Sequence, residues 1–146
     1  MSDEDFTVRL QRVADALMDY LGASANCRED VEEPHWSIEP VRPDASPLWS
    51  AGSSAWDATV GFGLAGSRLE LGLSRHVSDD EVVESLTEIC RAVIGGRLVE
   101  WRSGARSTRW RLALPDGSTD HGSTNWFWPT LPWTPVEAMR FQPYLP

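Results

Sequence analysis

The chain has no lysine: all thirteen of its basic residues are arginine. That excludes Schiff-base chemistry and any phosphate loop that needs a lysine. Cysteine is nearly absent, with Cys27 and Cys90 the only two, so neither demands a disulfide. The three histidines, His35, His76 and His121, have no ligand spacing to one another or to a cysteine, so no metal is expected. No apolar run approaches the ~20 residues that span a bilayer, so no membrane partner is expected. The first residues, MSDEDF, lack the basic-then-apolar pattern of a signal peptide. The cytoplasm is the expected compartment.

Catalytic signatures are missing too. There is no Gly-x-Ser-x-Gly elbow. Gly61-Phe62-Gly63 lacks the spacing and the following helix of a phosphate loop. The run Asp116-Gly-Ser-Thr-Asp120-His121 lacks the alternating oxygens and downstream glutamate of a calcium loop, and reads as a turn. No catalytic residue and no cofactor is expected.

What the chain has in excess is negative charge. It carries 22 acids over 146 residues, for a net −9. Residues 1–46 hold −7, residues 47–96 hold −4, and residues 97–146 hold +2. An acidic chain repels phosphate backbones, so nucleic acid is excluded as a general partner and basic protein surfaces are favoured. Glu29, Asp30, Glu32 and Glu33 crowd into five residues and form the candidate acidic patch. Arg102, Arg106, Arg109 and Arg111 cluster late in the chain. They either pair with internal carboxylates or hold an anion.

The elements expected from periodicity fit a single domain, 1–146. Phe6, Leu10, Val13, Leu17 and Leu21 step by three or four and predict a helix over 1–22, ended by Gly22. Its stripe is a core face or, alternatively, a homodimer surface. Residues 23–55 read as an acidic and proline-rich loop with one short strand, in which Trp36 and Ile38 point inward. Alternation on both sides of a glycine-containing turn predicts a hairpin over 56–74. The best-marked helix covers 78–95. Ser78 and Glu81 form a capping box, an apolar stripe runs from Val82 to Ile94, and Gly95-Gly96 makes the stop. A second hairpin is expected over 97–114: Leu98, Val99 and Trp101 supply its first strand, and Thr108, Trp110, Leu112 and Leu114 alternate with Arg109, Arg111 and Ala113 in its second. Residues 115–146 are expected to form a strap with a last helical turn over 136–140. Trp126, Trp128 and Trp133 within that strap are candidate partner contacts.

The expected fold is α+β: a mostly antiparallel sheet of about five strands with two helices on one face. The order α-β-β-β-α-β-β, with this size and acidity, resembles the small acidic chaperones of type III secretion. It is also similar to bacterial immunity proteins, which are small, acidic and cytoplasmic. Both resemblances imply a non-catalytic protein-binding module. The leading expectation is an immunity protein that neutralises a basic toxin. The alternatives are a dimeric secretion chaperone or adaptor, and a small enzyme or ligand-binding domain with a pocket under the tryptophan-rich tail.

Overall fold

The computed structural model describes residues 3–29, 36–54, 57–64, 67–72, 79–103, 107–124 and 136–145. Its first helix, α1, runs Asp3–Leu21, where the leucine spacing puts it. Gly22 follows at φ +54°, the left-handed conformation that glycine adopts without a steric penalty, and opens a short 3-10 turn. Val13, Ala14, Leu17 and Leu21 are buried along one side.

The helix α2 spans Asp79–Ile94 and begins one residue after Ser78, which lies outside the described residues. Its C-terminus is a Schellman motif. The Arg97 amide donates to the Ala92 carbonyl and the Gly96 amide to the Val93 carbonyl, with Gly96 at φ +74°. The expected stripe is buried, from Val82 through Leu86, Ile89 and Cys90 to Val93 and Ile94, with Val83 half-buried. Ala92 and Thr87 are buried as well, because α2 packs on α1, on the first sheet and on the second.

The α+β class is as expected, and among the described residues the strands number nine, in two antiparallel sheets. Five precede α2: β1 Ala25–Glu29, β2 Trp36–Pro40, β3 Leu48–Ser54, β4 Asp57–Phe62 and β5 Ser67–Gly72. They pair in chain order as a meander. Trp36 and Ile38 are buried as the alternation of β2 requires. The inward row across this sheet runs Cys27, Ile38, Leu48, Phe62 and Ser67. The region read as loop therefore holds three strands rather than one. Leu64 is exposed in the β4–β5 turn.

After α2 come β6 Leu98–Ser103, β7 Ser107–Ala113, β8 Thr119–Thr124 and β9 Val136–Arg140, in the order β8-β7-β6-β9. The expected helical turn over 136–140 is thus the edge strand β9, and Asp120 and His121 belong to β8 rather than to a turn. The turn is confined to the residues around Gly117, where Asp116 Oδ1 accepts from the Ser118 amide at 2.8 Å. The Ser118 hydroxyl, which donates to the same oxygen, and then the amide hold the Asp116 carboxyl below its ordinary range.

One hydrophobic core joins both sheets and both helices. Phe62 of β4 meets Trp110 of β7 edge to face, with ring centroids 4.9 Å apart and planes at 83°. The last described residues close this core. Phe141 and Tyr144 are buried, the Tyr144 amide donates to the Ile94 carbonyl, and its hydroxyl donates to the Ser46 carbonyl. Pro143 lies so close to Gly96 that a Cβ there would sit 2.6 Å from its nitrogen. Gly61 is covered by the Trp49 indole. Among the described residues no helix is long and apolar enough to cross a membrane.

Candidate functional site

Among the described residues, two surfaces and one buried cluster carry the polar chemistry. The first surface is the outer side of the helical layer. On α1, Asp15 and Asp19 are exposed. On α2, Asp80, Glu81, Glu84 and Glu88 are exposed. Opposing them are Arg12 and Arg91. Arg12 Nη2 meets Asp80 Oδ1 at 2.7 Å, so the two exposed faces adjoin there. A pair this exposed adds little to stability, on the order of 0–1 kcal/mol. The apolar stripes of both helices point inward, which is why the carboxylates collect outward.

The second surface lies on β6–β9. The arginines grouped in the sequence divide here according to strand alternation. Arg102 shares a face with Glu100, and its Nη2 is 3.7 Å from Glu100 Oε1. Arg109 and Arg111 take the opposite, exposed face. Arg111 lies over Trp101, 6.0 Å from the ring centroid. Arg140, not among the sequence candidates, joins them through the pairing of β9 with β6. Arg106, Asp30, Glu32, Glu33, Trp126, Trp128 and Trp133 lie outside the described residues. Glu29 ends β1, opposite Trp36.

The buried cluster is centred on Glu100, the only buried charged side chain among the described residues. Strand alternation turns it inward between Val99 and Trp101. Its Oε2 accepts from Ser67 Oγ at 2.7 Å and its Oε1 from the Leu64 amide at 3.2 Å. Both donors flank the β4–β5 turn, so a carboxylate of one sheet holds a turn of the other. Gly63, at φ +76°, leaves no space for a side chain beside that carboxylate. Its amide donates to Ser46 Oγ at 2.8 Å. Every contact of this cluster is internal, and the geometry is that of a junction. Among the described residues no three metal-ligating side chains gather.

Cys90 lies fully buried beside this core, and burial pushes its thiol up to about 12. Burial raises the Tyr144 phenol also, with a further contribution from Cys90. Each group keeps its proton in the folded state after its unfolded counterpart has lost it. The unfolded chain then binds fewer protons, and stability falls as pH rises. The fall begins near pH 9 for Cys90 and near pH 10 for Tyr144, at about 1.4 kcal/mol per pH unit per group. Urea unfolding measured at rising alkaline pH shows this slope, and Cys90→Ala makes it shallower whatever its effect on absolute stability. An unchanged slope in that variant would show that Cys90 does not contribute.

The chain matches no protein-family model, no curated protein and no solved structure.

Proposed function

We propose that the protein is a non-catalytic binding module that neutralises a basic protein, in the manner of a bacterial immunity protein and its toxin. The observation that supports this reading is the helical layer, where the described side chains include six exposed carboxylates against two arginines. Carboxylates on two packed helices form a preorganised negative surface, which steers a positive partner and speeds encounter. A secretion chaperone would use the same surface. The two readings separate on whether the adjoining gene encodes a toxin or a secreted effector.

The test is kinetic, with the purified product of that adjoining gene as the probe. The association rate falls steeply between about 0.05 M and about 0.5 M salt, because screening shortens the reach of the charges. The quadruple variant Asp15→Arg, Asp19→Arg, Glu84→Arg, Glu88→Arg lowers that rate by about tenfold or more and leaves the circular dichroism spectrum unchanged. A rate that ignores both salt and the substitutions would overturn the reading.

A further inference from the structure

The outer face of the four-stranded sheet carries the opposite charge to the helical layer. Partners across antiparallel strands share a face, so the register sorts the side chains. One row across the sheet reads His121, Arg111, Val99, Arg140. The next reads Ser123, Arg109, Trp101, Ala138. The three arginines and His121 are exposed, and Val99 and Trp101 are half-buried. The nearest acids on these strands, Glu100, Asp120 and Glu137, take the other face, as their pairings with Trp110, Leu112 and Arg102 require. No carboxylate stands on this face among the described residues.

We propose that this face docks a short acidic protein segment that carries apolar side chains between its carboxylates. The central strand offers an apolar floor, Val99 and Trp101, with Arg109 and Arg111 on one flank and Arg140 on the other. Guanidinium groups suit this role because their planar forks bind carboxylates through paired hydrogen bonds and remain charged at every relevant pH. Arg111, stacked over Trp101, also holds the indole as one wall of the floor. Size argues for a short ligand. Four strands at about 4.8 Å spacing make a patch about 14 Å across, the reach of four or five extended residues. A nucleic-acid strand carries charge continuously and would run past the patch onto a molecule of net −9. The helices lie on the opposite side of this sheet, and screening over about 8 Å at physiological salt lets a short segment respond mainly to the arginines. The inference is independent of the helical surface proposed above.

Fluorescence anisotropy tests it, with three labelled probes on the intact chain: a hexapeptide of alternating glutamate and leucine, its lysine–leucine counterpart, and a six-nucleotide oligothymidylate. The glutamate–leucine peptide binds most tightly. The double variant Arg111→Gln, Arg140→Gln weakens it about tenfold and leaves the melting temperature in place, since both residues are exposed. Tighter binding of the oligothymidylate would overturn the proposal in favour of a nucleic-acid face. Peptide binding that the double variant does not change would place the peptide elsewhere and overturn it equally. A fall in melting temperature of more than about 5 °C would show that these arginines serve the fold, with part of this chain as the occupant.

Discussion

Glu100→Ala lowers stability by about 3–5 kcal/mol. The carboxylate is 1% exposed and takes hydrogen bonds from Ser67 and from the Leu64 amide. Its removal leaves a buried hydroxyl and a part-buried amide without their acceptor, each worth about 1–3 kcal/mol, and leaves a void between the sheets. Glu100→Gln keeps the shape and one acceptor, so its loss is smaller, about 1–3 kcal/mol. Urea unfolding followed by far-ultraviolet dichroism reads both values. The cycle with Ser67→Ala isolates the pair, with an expected coupling of about 1 kcal/mol or more. A loss below about 1 kcal/mol for the alanine variant would mean that water replaces the carboxylate and that the junction lies elsewhere.

The double variant Phe141→Ala, Tyr144→Ala is unfolded at room temperature. Each ring is almost wholly buried, and truncating a buried aromatic costs about 3–5 kcal/mol. Two such losses reach the 5–15 kcal/mol that a typical domain has in total, by the usual order of magnitude. Tyr144→Phe is the control: it removes only the hydroxyl bond to the Ser46 carbonyl, for about 1–2 kcal/mol, and remains folded. A double variant with native dichroism and a melting point within a few degrees of the parent would show that this segment lies on the core without completing it.

Much of this was legible in the sequence, and the misses have physical reasons. Both helices stand where their apolar spacing and glycine stops put them, because a 3.6-residue stripe over four or more turns is a redundant signal. The hairpin β4–β5 and the strand β7 show the same redundancy at period two. The strands β1, β3 and β8 do not. β3 reads Leu-Trp-Ser-Ala-Gly-Ser-Ser, with little apolar alternation, and pairs with neighbours that supply it. β9 reads Val-Glu-Ala-Met-Arg, which suits a helical turn locally, and its pairing with β6 overrides that preference. Missing β9 meant missing that Arg140 shares a face with Arg111, across Val99. The facing of β6 was also hidden: Leu98 is apolar on one side, Val99 and Trp101 on the other. Only the register with Leu112 and Trp110 decides that Glu100 turns inward.

The position of β9 and the residues after it has a consequence for the order in which the molecule is made. The first five strands pair with their neighbours in chain order, so each can form soon after it is synthesised. The core is different. Its seam between the Ser46 carbonyl and the Ile94 carbonyl closes only when Tyr144 arrives, about a hundred residues after Ser46. A nascent chain short of that point holds two helices and most of both sheets with the seam open and apolar surface exposed. Closing of this seam therefore waits until Tyr144 has been made. The interval before it is when the chain is most open to aggregation and to capture by chaperones.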